Sequence, residues 1–183
     1  MSLFDDLMDF DFDLTCKALD IDPATQPQNI LPLSYPDSPA GLKNPHADCV
    51  FYLVQFDDAG INRQIDDITA PNADETLVTR KIQYVRNLRF IWQLYGDDGA
   101  EWADTLRIML FDPDIQTLLA KQGISLITDV PDPVGSIPEK IGQQWYKRYD
   151  LYAKFNQLVT KETTLPAVAS ADVVIVTEKG VET

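Results

Sequence analysis

The chain has 183 residues, 45% of them hydrophobic, and carries 29 acidic against 15 basic side chains for a formal charge of −14. That size and apolar content suffice for one domain with a buried core, whereas the charge argues against coating nucleic acid, which needs clustered Lys and Arg. No run reaches the roughly 20 apolar residues of a membrane-spanning helix, and no basic start and apolar run of a signal peptide opens the sequence, so a protein that is cytosolic when made is expected.

The acidity is uneven: residues 1–78 hold fifteen acids against Lys17, Lys43 and Arg63, leaving only −2 for the rest. One acidic surface is therefore expected rather than a uniformly charged exterior. Cys16 and Cys49 stand far apart without CxxC spacing, which favours two reduced, partly buried thiols over a disulfide.

Taken in chain order, residues 3–20 place Leu3, Leu7, Phe10, Leu14 and either Lys17 or Ala18 at helical spacing, with Asp5, Asp6, Asp9 and Asp13 between them. Pro23 and Pro27 end this amphipathic helix. The stretch to Pro45, with Pro32, Pro36 and Pro39, is too proline-rich for helix or central strand and reads as an extended arm. From Asp48 to Phe56, DCVFYLVQF is apolar on both faces, as a covered central strand requires. The polar segment Asp57 to Glu75 is long for a connection and is expected to be a projecting loop.

Residues 77–95 alternate through Ile82 and Tyr84 and then through Leu88, Phe90, Trp92 and Leu94, giving one long bent strand or two meeting near Arg86 and Asn87. Gly96 provides the strand exit, and Asp97–Asp98 are expected to cap a helix with Trp102, Leu106, Met109 and Leu110 on its apolar face, ending near Phe111. Asp112 and Pro113 open a second short helix with Ile115, Leu118 and Leu119, stopped by Gly123. A strand over Ile124 to Val130 then leads into a loop bearing Pro131, Pro133 and Pro138. From Trp145, Tyr149, Leu151, Ala153 and Phe155 face one way and Arg148, Asp150, Lys154 and Asn156 the other, the pattern of a half-exposed strand. Val173 to Glu178 reads as a last strand near the sheet edge.

Catalytic and metal signatures fail one by one. Asp9, Asp11 and Asp13 have the odd-position spacing of a calcium loop, but Leu14 stands where its Gly belongs and Asp20 where its bidentate Glu belongs, so a solvated helix face is the better reading. His46, the only histidine, has no nucleophile signature near it and reads as a turn residue. Asp57–Asp58, Asp66–Asp67 and Asp97–Asp98 are adjacent carboxylates on polar segments, where hydration keeps their acidities together rather than apart as acid/base work requires. Tyr146, Tyr149 and Tyr152 with Lys147, Arg148 and Lys154 mix aromatics with base, as a nucleotide-stacking sheet does. They do not all share a face, which favours core aromatics with snorkelling cations. No catalytic residue, cofactor site or metal site is expected.

The order of elements resembles the neck or tail terminator proteins of tailed bacteriophages. The resemblance rests on RNLRFIWQLYG (Arg86 to Gly96), the DDGAEWADTLR helix start, the LAKQGI turn (Leu119 to Ile124) and WYKRYDLYAKF with the terminal strand, over roughly residues 48–182. It implies an α+β fold, a mostly antiparallel mixed sheet of about four to six strands with flanking helices. Residues 1–47 form a helix and proline-rich arm, and residues 48–183 the terminator-like domain. It further implies a structural virion protein assembled in the host cytoplasm, no enzyme, and a ring, six copies in number, at the head-proximal end of the tail. The partners implied are a second copy of the chain, the tail-tube protein and a head-connector or adaptor protein, with no membrane. Genomic DNA would pass nearby without specific binding, and an acidic lining would let it pass. On this reading Asp57, Asp58, Asp66, Asp67, Asp74 and Glu75 line the channel or face the adjacent subunit. The alternative is a small acidic cytosolic protein that mimics DNA and inhibits a basic partner, which predicts a monomer or dimer with salt-sensitive binding.

Overall fold

Two long alternating segments make the frame of the protein, here described from a computed structural model over residues 3–26, 29–32, 44, 46–71 and 77–166. Strand β4 (Leu77–Tyr95) is continuous, and β7 (Gln144–Pro166) pairs antiparallel with every residue of it. Around them lie β1 (Ile30–Pro32), β2 (Cys49–Asp57), β3 (Asp66–Pro71), β5 (Ile124–Leu126) and β6 (Val134–Ile141). The sheet runs β1-β2-β4-β7-β5, with β3 on β4 and β6 on β7. Only the three-residue pairing of β1 with β2 is parallel, so the fold is α+β with a mostly antiparallel mixed sheet.

Alternation decides which face is covered. Leu88, Phe90, Trp92 and Leu94 of β4 share a buried face with Val50, Tyr52 and Val54 of β2 and with Leu151, Ala153 and Phe155 of β7. Phe90 sits at its centre, with its ring 4.5 Å from Phe155, 6.2 Å from Trp92 and 6.3 Å from Phe10. Three helices close this face: α1 (Leu3–Ala18), α2 (Gly99–Met109) and α3 (Pro113–Lys121). Leu7, Phe10, Leu14 and Ala18 of α1, Leu106 and Leu110 around α2, and Ile115 and Leu119 of α3 bury their side chains there. Each such leucine, isoleucine or phenylalanine contributes roughly 2 kcal/mol of apolar burial. Ala18, not Lys17, completes the α1 stripe.

Local chemistry sets the joints. Gly96 turns the chain out of β4 with φ 105°, and a Cβ there would lie 2.2 Å from Asp48 Oδ1 and 2.6 Å from Asp48 Cα, so glycine is required. Asp112 caps α3 by accepting from the Asp114 N–H at 2.8 Å, with Pro113 at the first position, and Gly123 (φ 65°) ends the turn beyond it. Asp98 occupies the cap position of α2, but its side chain makes no capping bond. Its own N–H is held instead by Asp48 Oδ1 at 2.8 Å, and Asp97 pairs with His46.

Several expectations change. The segment from Asp57 to Glu75 is not one loop: a short 3-10 turn (Gly60–Arg63) leads into β3, which returns to pair with β4. The strand expected over Ile124 to Val130 stops at Leu126. The proline-bearing loop after it holds β6, an edge strand whose register slips between Val134 and Ile137, with Ser136 at φ 51°. Edge position and a bulge are the settings in which a strand tolerates Pro138. The proline-rich arm contributes β1, while residues 33–43 and the strand expected at Val173 to Glu178 lie outside the described residues.

Candidate functional site

Beyond the helix-covered core, β4 and β7 run on together. Pairing of β2 with β4 ends at Asn87, but β4 continues to Leu77, about 30 Å further at the rise of a strand. Along it β3 takes the place of β2, so β3 with residues 77–83 and 160–166 forms a three-stranded ribbon. Every residue of β3 and of 160–166 is exposed. Large apolar side chains stand out along the ribbon and its base: Ile65, Ile68, Leu158 and Leu165 are 43–64% exposed. Uncovered sheet of so few strands is marginal alone, and large apolar side chains left exposed on it suit an interaction surface.

The sheet face opposite the helices carries charge instead of apolar cover. Asp57 at the end of β2 meets Arg89 of β4 at 3.1 Å and Lys154 of β7 at 3.0 Å, and the Arg89 guanidinium lies 5.5 Å from the Tyr152 ring centre. The Lys154 hydrogen bond, with Arg89 beside it, holds the Asp57 carboxyl below the usual range. Further along, Arg148 pairs with Glu139 at 3.1 Å and Asp150 at 2.9 Å, and the Tyr95 hydroxyl donates to Glu139 at 2.7 Å. Burial and then the Glu139 contact push the Tyr95 phenol far up. Tyr146 and Tyr95 stack at this end with Phe51, while Tyr149 packs on the helix side, so the tyrosines form no single stacking platform.

The expected acids are thus placed singly. Asp57 has Arg89 and Lys154; Asp58 pairs with Arg63 at 3.1 Å; Asp67 of β3 is chelated by Arg80, whose hydrogen bond lowers its pKa. Among the described residues Asp66 receives a 3.3 Å bond from Gln64 and forms no ion pair. Asp74 and Glu75 lie outside the described residues. Among the described residues, no three acidic, His or Cys side chains converge as a metal site would require, and no helix is long and apolar enough to cross a membrane.

Asp11 departs most from expectation. It does not belong to a solvated face: it is fully buried, accepts from Trp92 Nε1 at 3.1 Å and faces Thr15 Oγ1 at 3.4 Å, while Trp92 also donates to Thr15 at 2.9 Å. Burial raises its pKa well above the ordinary carboxyl value, the two hydrogen bonds opposing. The buried carboxyl, hydrogen-bonded to Trp92 and Thr15, therefore pins α1 to the sheet. Asp5, Asp6, Asp9 and Asp13 do face solvent, and among the described residues Asp6, Asp9 and Asp13 form no ion pair, nor do Asp20, Asp22, Glu101, Asp104, Asp112 and Asp114, so the unneutralised acidity spans α1 and the other helices. His46 is exposed against Asp97 at 3.0 Å. Both cysteines are free and buried.

Comparison with known proteins gives one family match. The profile of a family described as phage neck terminator protein matches residues 10–180, from the second half of α1 to beyond the end of β7. No curated protein matches the chain.

Proposed function

Because the chain belongs to the phage neck terminator protein family, a family of structural virion proteins, we propose that copies of it close into a six-membered ring that caps the tail tube and joins it to the head connector. The observation that carries this reading is the ribbon: an uncovered extension with exposed apolar groups, in a chain matched to that family over nearly its whole length. An element that contributes little to its own subunit's core is suited to contacts between subunits.

Residues 57–71, the segment leading into the ribbon through β3, face the adjacent subunit. Of the two roles open to Asp57, Asp58, Asp66, Asp67, Asp74 and Glu75, the inter-subunit one is favoured, because three of them are already neutralised by cations of the same chain and present little field to a channel. The net negative charge of the subunit keeps DNA passing the ring from adhering to it. No catalytic step is involved.

The test is assembly without the protein. Tails made in its absence are expected to run to irregular lengths and to fail in joining heads, with purified protein restoring the junction. Tails of uniform length that join heads without it would contradict the proposal.

A further inference from the structure

The ribbon has two long edges, and they match each other. Strands β3 and β7 both run antiparallel to β4, so they run in the same direction. They flank the same six residues: Asp66–Pro71 lie opposite 78–83, and 78–83 lie opposite 160–165. Asp67, Ile82 and Lys161 make one row across the sheet, Thr69, Arg80 and Thr163 another, and Pro71, Val78 and Leu165 the last. Among the described residues neither outer edge has a strand partner at this level, since β5 leaves β7 at Gln157.

We infer, resting on the ring reading above, that copies of this chain join ribbon to ribbon, the outer edge of β3 in one copy pairing in parallel with the outer edge of β7 in the next. A neighbour related by rotation about an axis along the ribbon brings the two edges together at one level and in one direction. Six residues then pair across the joint, with Asp67 beside Lys161 of the neighbour, Thr69 beside its Thr163 and Pro71 beside its Leu165. Charge does not oppose the joint: Lys161, which has no ion pair among the described residues, stands on the β7 edge at the level of Asp67, which Arg80 of its own chain neutralises, and beside Asp66, which has no ion pair among the described residues. Proline at the last position removes only a terminal donor from the ladder. A two-fold pairing of like edges would satisfy one edge of each copy and leave the other open, whereas head-to-tail pairing uses both and continues around a ring.

The experiment is disulfide cross-linking of the full chain carrying Asp67→Cys and Lys161→Cys, with each single variant as control. Native Cys16 and Cys49 are buried and do not compete. At assembling concentration the double variant is expected to give a ladder of covalent multimers that ends at the ring number, while both single variants stay monomeric under denaturing conditions. Covalent dimers from either single variant would overturn the inference in favour of two-fold pairing. Rings seen by electron microscopy without covalent multimers would overturn it while leaving the ring standing. A ladder that never closes would keep the ribbon pairing and refute the ring. No assembly by the wild-type chain, either concentrated or on tail tubes, would refute both.

Discussion

Replacing Trp92 by Phe removes the side-chain N–H that reaches the buried pair formed by Asp11 and Thr15. The loss of ring volume from a fully buried site and of the shorter of the two hydrogen bonds to the buried carboxyl each cost about 1–3 kcal/mol, so the variant should lose about 4 kcal/mol. Asp11→Leu should behave differently. It discards a carboxyl whose Oδ2 has no hydrogen-bond partner and leaves Trp92 bonded to Thr15. Its stability at pH 5 should lie within about 1 kcal/mol of wild type. Combining the two should cost less than the sum of the single losses, by a coupling of about 1–3 kcal/mol, because no buried carboxyl is then left short of a donor.

The pH dependence has a fixed sign. The folded pKa of Asp11 is raised, so the native state holds a proton that the unfolded chain releases near its ordinary value of about 3.9. Its contribution is full below that value and is lost as pH rises toward the folded pKa. Urea unfolding followed by circular dichroism at pH 5 and pH 8 should therefore show Asp11→Leu gaining on wild type at the higher pH. A loss above about 2 kcal/mol at both pH values, with no coupling to Trp92→Phe, would refute the neutral buried acid.

Gly96→Ala combines a left-handed backbone with a clash against Asp48 Cα, and should lower stability by about 2–3 kcal/mol in the same unfolding assay. Asp57→Asn should cost about 1 kcal/mol at neutral pH, discounted because Arg89 and Lys154 are partly exposed. The folded Asp57 pKa is depressed, so that stabilisation exists above about 3.9 and disappears as pH falls through the folded value; wild type and variant should converge in acid. Burial pushes the Cys49 thiol up to about 12 and raises Cys16 too, so neither should react with a thiol reagent at pH 8 until the chain unfolds.

What could be read from sequence follows from how strongly burial patterns a segment. Strands β4 and β7 bury one face against helices, so their alternation was plain, as was the stripe of Leu7, Phe10 and Leu14 in α1. Strand β3 exposes every side chain and therefore carries no alternation to detect. In β6 the bulge at Ser136 and the edge Pro138 broke the period. Asp11 looked solvated because its partner Trp92 lies 81 positions away, and no local pattern reports a hydrogen bond at that separation. The acids of residues 57–67 were visible, but their neutralisation by Arg80, Arg89 and Lys154 depends on cross-strand register. The ribbon, too, became apparent only once β3 was seen to take over from β2 along β4.

Imaging the purified chain by electron microscopy, alone at high concentration and mixed with tail tubes, tests the central claim most directly. The account predicts closed rings of six chains and one ring seated on a single end of each tube. Monomers or dimers that ignore the tubes and bind a basic partner in a salt-sensitive way would contradict it.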